Sequence, residues 1–121
     1  MIKKFINKKI NYYNFYVYGA STKGNIIISY FNLNNSIFKL ALDVNKEKNN
    51  KYTPGSKILI TNDLNKVNLS NSIFFVNIWH FKKFILLKEQ KLLKQGAKFL
   101  FPLPTPHIIS IKNNRIIKRY I

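Results

Sequence analysis

The chain has no cysteine. That absence excludes a disulfide framework, a thiolate nucleophile and a zinc–thiolate centre, and it is compatible with a reducing compartment. Long apolar runs are missing too, so no segment reads as a transmembrane helix. Asn7, Lys8, Lys9, Asn11 and Asn14 interrupt the basic N-terminal stretch where a secretory h-region would lie. A soluble, cytoplasmic chain is the expectation. Acid is scarce: four Asp and Glu stand against 21 Lys and Arg, for a net charge of +17.

Such a charge invites a nucleic-acid reading, and the composition discounts it. Lys outnumbers Arg 19 to 2, and Ile, Lys, Asn, Phe and Tyr together make up 71 of the 121 residues. All five use A/T-rich codons, so compositional drift raises Lys without selection for phosphate contacts. Proteins that grip nucleic acid in defined geometry lean on the planar fork of Arg. Drift is favoured over a selected anion-binding surface. In either case the field attracts polyanions nonspecifically.

With 121 residues there is room for one domain and one core. Six short apolar runs alternate with polar or helical stretches. Residues 14–18 (NFYVY) read as a buried strand stopped by Gly19, and Ser21 or Thr22 caps a helix running to about Phe31. Residues 37–44 form a second strand ending on an acid, and 57–60 a short third beyond the Pro54-Gly55 turn. Asn62 or Asp63 starts one helical turn before a fourth strand at 73–77. Residues 81–95 carry the longest helical pattern, with Gly96 placed to stop it. Residues 97–101 make a fifth strand, and 107–111 a sixth at the sheet edge. This alternation predicts a Rossmann-like three-layer α/β domain with a mainly parallel sheet of five to six strands. The domain spans 1–121, with its core at about 14–111, a basic N-terminal segment at 1–13 and a tail at 112–121.

A strand, then Gly19, Ala20, Ser21, Thr22, Lys23, Gly24 and Asn25, then a helix, is the setting of a phosphate-binding turn. The letters match neither standard fingerprint: Ser21 stands where a dinucleotide loop has its middle glycine, and Asn25 follows Gly24 where a P-loop has lysine. Asp43 lies 24 residues beyond Gly19, near where a Rossmann acid meets a ribose hydroxyl. Alone, this pattern leaves a bound nucleotide or phosphate weighed against a tight strand–helix turn with a solvated acid. His80 and His107 lack the partners at telling spacing that a triad or metal site shows. The aromatic runs read as core before they read as base-stacking platforms.

Four segments taken together resemble the C-terminal domain of SAM-dependent sugar C-methyltransferases. They are YVYGASTKGN from Tyr16; Asp43, Asn45, Lys48, Tyr52, Pro54, Gly55, Ile58 and Ile60; Trp79-His80-Phe81 with Glu89; and Gly96 followed by PLP at 102–104. The resemblance covers about 14–110. The chain departs from the family at Lys46 and Leu59, where proline is usual, at Asn50, where glycine is, at Lys83 and Phe84, where an acidic pair is common, and at Ala97.

The resemblance implies a nucleotide-sugar pocket built from residues 19–25, Asp43, Asn45, Lys48, Tyr52, Pro54, Gly55, Trp79 and His80. It also implies that S-adenosylmethionine (SAM) and the base reside in a methyltransferase catalytic domain, here expected in a partner or a missing segment. About thirteen residues precede the first strand, and they hold neither a Cys cluster nor an acidic-glycine SAM loop. The chain is therefore expected to bear no cofactor, no metal and no catalytic residue, and to act as a separate subunit, a gene remnant or a fragment. Competing readings are a basic, ribosomal-type nucleic-acid-binding protein and a non-catalytic nucleotide- or CoA-binding module.

Overall fold

The computed structural model describes residues 2–20 and 22–121. A seven-stranded sheet forms the centre, in the order β3-β2-β1-β4-β5-β6-β7. β1 is Asn14–Tyr18, β2 Phe38–Leu42, β3 Ile60–Thr61, β4 Ser72–Val76, β5 Lys98–Phe101, β6 His107–Lys112 and β7 Arg115–Tyr120. The pairings from β3 through β5 are parallel. β6 and β7 join antiparallel. The fold is therefore mixed α/β, with β2, β1 and β4 side by side.

Strands buried on both sides need apolar residues at every position. All five residues of β4 are buried, and so are the last four of β1. The alternation of the pleat divides them between two cores. Phe15, Val17, Ile73, Phe75 and Leu100 pack with Ile2, Ile6 and Ile28. Tyr16, Tyr18, Phe74, Val76, Phe99 and Phe101 pack with Ile85, Leu92 and Leu93. The first group draws on helices α1 (Ile2–Lys9) and α2 (Thr22–Tyr30), the second on α3 (Lys82–Lys88) and α4 (Gln90–Lys94). Each fully buried Phe or Ile contributes roughly 1.5–3 kcal/mol.

Several expectations need correction. The sheet has seven strands, not five or six, because the supposed tail supplies β7. Asn113 and Asn114 both take positive φ, 53° and 61°, the two-residue turn whose twist suits a hairpin. The supposed N-terminal segment is a helix whose Ile2 and Ile6, one turn apart, are buried under the sheet. The third strand is displaced to Ile60–Thr61; Leu59 bridges to Tyr52 and its carbonyl accepts from the Ala41 N–H of β2. The helix expected over 81–95 opens as a 3-10 turn at Trp79–Phe81 and breaks at Glu89. Glu89 accepts a 2.5 Å hydrogen bond from the Tyr18 hydroxyl at this break.

Gly96 ends α4 as expected. Its φ is +104°, and the bonds Ala97 N–H to Leu92 O and Gly96 N–H to Leu93 O, both 3.1 Å, make a Schellman stop. Asp63 caps the turn Leu64–Lys66 by accepting from the Asn65 N–H. The sequence runs leftward from β1 to β2 and β3, then crosses to β4 and onward. The reversal between β1 and β4 is the switch point at which open α/β sheets bind ligands.

Candidate functional site

Gly19 follows β1 at this switch point with φ +88°, a conformation that side chains resist. A Cβ there would also meet Ile78 Cγ1 at 3.3 Å. The Gly19 N–H donates to Leu42 O at 2.8 Å, tying the ends of β1 and β2. On the other side Asn77 straps β4 to the turn. Its N–H donates to Tyr18 O and its Nδ2 to Gly19 O, at 3.1 and 2.8 Å. Asn77 is 1% exposed, and among the described residues its Oδ1 has no hydrogen-bond partner. Sequence reasoning marks Asn77 only as a strand end; the signal is a lone amide closing an otherwise apolar run.

Asp43 fastens the turn from the β2 side. Its Oδ2 accepts from the Ala20 N–H at 2.8 Å and its Oδ1 from the Asn45 N–H at 2.9 Å. Lys48 Nζ lies 3.7 Å from Oδ2 and donates to Ala20 O at 3.1 Å. Asn45 Oδ1 accepts from the Glu47 N–H and so caps the turn Lys46–Lys48 that presents Lys48. Ala20, Asp43, Asn45 and Lys48 therefore form one connected cluster. A carboxylate has about four lone-pair sites, so Asp43 keeps capacity for a further donor.

Thr22, Lys23 and Gly24 supply the first turn of α2, while Ser21 lies outside the described residues. Asn25 faces elsewhere: its Nδ2 donates to Pro54 O and its Oδ1 accepts from Ser56 Oγ, at 2.5 and 2.8 Å. Ser56 O in turn accepts from the Asn35 N–H, ahead of β2. Tyr52, Pro54 and Gly55 thus run beside α2, apart from the Asp43 cluster. Gly55, at φ +74°, has open space where a Cβ would stand, so its turn alone requires glycine.

Trp79 and His80 follow β4 at the same sheet edge, yet border a different hollow. Gly19, Ala20 and Asp43 line a cavity of about 150 Å³ with Ile78, Phe84 and Glu89. Trp79 and His80 line one of about 630 Å³ with Lys82, His107, Lys118 and Tyr120, and Phe84 borders both. Burial first, then the Glu89 carboxylate, pushes the Tyr18 hydroxyl far above its ordinary range, so it stays a donor. Burial is also the main cause that lowers the His107 imidazole, and it lowers the Lys82 ammonium. No helix among the described residues is long and apolar enough to cross a membrane.

C-methyltransferase NovU from Streptomyces niveus is 27% identical over 96 residues, covering 79% of this chain and 23% of that protein. The chain thus spans less than a quarter of that relative's length. The family profile described as the C-methyltransferase C-terminal domain matches residues 2–104, through α1, both glycine-bounded turns and the PLP segment. The chain belongs to the C-methyltransferase C-terminal domain family.

Proposed function

We propose that this chain forms one wall of a nucleotide-sugar-binding cleft, on a Rossmann-like three-layer frame, and that methyl transfer takes place in a separate methyltransferase catalytic domain. The observation that carries the reading is the cluster at the switch point. Residues of three strand ends, Ala20 after β1, Asp43 and Lys48 after β2, and Trp79 after β4, come to one sheet edge. In this reading the start of α2 receives the pyrophosphate, with Lys23 supplying charge. Asp43 accepts from a sugar or ribose hydroxyl with the capacity its structural bonds leave, and Trp79 provides an apolar wall.

The hollow beside Gly19 and Asp43 holds about 150 Å³, below the roughly 300–1,000 Å³ of small-molecule sites, so in this reading the partner domain supplies the rest of the cleft. Following the family resemblance, we assign the SAM donor and the base to that partner domain, in a cytoplasmic setting. The ribosomal-type alternative accounts for the charge of +17 and for none of the ordered motifs.

Calorimetry with a nucleoside diphosphate sugar at raised salt tests the reading, because screening suppresses the general field more than a docked pyrophosphate. Weak but saturable binding, lost in Lys23→Ala and Trp79→Ala, is expected. Binding that disappears with salt and ignores both substitutions would return the case to polyanion attraction.

A further inference from the structure

The larger hollow concentrates positive charge with no counterion among the described residues. Lys82, Lys83 and Lys118 border it, and no Asp or Glu does. The ion pair found among the described residues is Lys48 with Asp43, which belongs to the other cluster. Lys82 Nζ instead lies 2.7 Å from His107 Nε2. His107 Nδ1 is 2.7 Å from Thr105 O, a group that only accepts. The ring proton therefore sits on Nδ1, and Nε2 accepts from the Lys82 ammonium. Phe101 stacks on the ring at 5.4 Å between centroids, which holds His107 in this pose. Lys118 reaches over the Tyr120 ring, 4.7 Å from its centroid, on the neighbouring strand.

A neutral imidazole orients Lys82 without cancelling its charge, and Lys118 repels it. Each ammonium has three donors, and Lys82 spends one on His107. Free donors and uncompensated charge thus face a cavity of about 630 Å³ whose other walls include Trp79, Leu103 and Pro104. His107, Lys118 and Tyr120 lie beyond residue 104, where the family match ends. Phe84 borders both hollows and Trp79 also serves the nucleotide-sugar reading, but Lys82, His107 and Lys118 take no part in that reading, so their loss tests this hollow by itself.

We propose that this hollow is a second binding site, for a small phosphate monoester carried on a ring. Lys82 and Lys118 hold the phosphate, His107 positions Lys82, and Trp79 and Tyr120 flank the ring. A phosphate monoester carries close to two negative charges at neutral pH, matching two ammonium groups better than a carboxylate does. Ammonium-to-phosphate hydrogen bonds are charge-assisted and belong to the stronger class.

Trp79 is the chain's one tryptophan, so its fluorescence reports on this hollow. The full chain would be titrated with phenyl phosphate, benzoate and phenol at raised salt. Saturable change with phenyl phosphate is expected, at least about tenfold tighter than with benzoate. Lys82→Met and Lys118→Met should each weaken it by about tenfold or more, while Lys66→Met, on an exposed turn elsewhere, leaves it unchanged. Thermal melts verify folding, and if Lys82→Met does not fold, Lys118→Met on the exposed hairpin decides alone. No saturable change, equal binding of phenol, or equal loss in Lys66→Met overturns the proposal.

Discussion

Replacing Asp43 with alanine separates a carboxylate that holds the turn from one that merely waits in solvent. The substitution strips an acceptor from two backbone donors and a partner from Lys48. The bond to the Ala20 N–H is partly buried, and loss of such a charged acceptor costs about 1.5–3 kcal/mol. The bond to the Asn45 N–H is exposed, where water substitutes, and adds about 0.5–1 kcal/mol. Lys48 stands 3.7 Å away with its side chain 38% exposed, so the ion pair contributes at most about 1 kcal/mol. Together these give about 3 kcal/mol, a large share of the roughly 5–15 kcal/mol that holds a domain folded. At about 4 °C per kcal/mol for this chain length, Tm should fall by about 12 °C. Asp43→Asn keeps one acceptor oxygen and should lose about half as much. Urea denaturation followed by circular dichroism measures both. An Asp43→Ala variant within about 0.5 kcal/mol of the parent would refute the structural role and leave Asp43 free for ligand alone.

Other substitutions probe the same frame. Gly19→Ala forces a side chain to φ +88° against Ile78, and should cost about 1–3 kcal/mol in a urea titration; an unchanged midpoint would show that the turn relaxes freely. Phe75 is fully buried and 5.6 Å from Phe38 between ring centroids, so Phe75→Ala should cost about 3–5 kcal/mol. A loss under about 1 kcal/mol would contradict the packing described for β4. In an NMR titration the His107 ring should protonate below its ordinary 6.5, because burial, Lys82 and Lys118 outweigh its bond to Thr105. The unfolded chain then binds that proton first, so the associated stability is present above pH 6.5 and declines as pH falls toward the folded value. Protonation of His107 at or above 6.5 would remove this pH dependence.

Which parts of the fold are legible in the sequence depends on where the apolar residues go. β1, β4 and β5 are buried on both faces, so their sequences are continuous apolar runs that read as strands unaided. β7 leaves no such mark. Its residues RIIKRY are mostly exposed, and it is held by its hairpin with β6 rather than by burial. The Asn113-Asn114 pair is the available turn signal, and the surrounding charge hides it. α1 is eight residues, too short to be stable alone, so its register depends on Ile2 and Ile6 finding the sheet.

The site divides in the same manner. Gly19 and Asp43 can be paired from spacing, because a βαβ unit brings successive strand ends together. The path of the loop that takes Tyr52, Pro54 and Gly55 beside Asn25 is set by the Thr53–Ser56 hydrogen bonds, which no periodicity encodes. The approach of Lys82 to His107 and Lys118 depends on the β6–β7 hairpin, and is invisible as long as β7 reads as a tail.

The most direct measurement is an amide and indole shift map of the ¹⁵N-labelled chain titrated with a nucleoside diphosphate sugar at raised salt. Saturable shifts are expected at Gly19, Ala20, Asn45 and Lys48 and at the Trp79 indole, with α1 and β7 unmoved. Shifts scattered over the lysine-rich surface and erased by salt, or none at the β1–β2–β4 edge, would contradict a nucleotide-sugar cleft at the switch point.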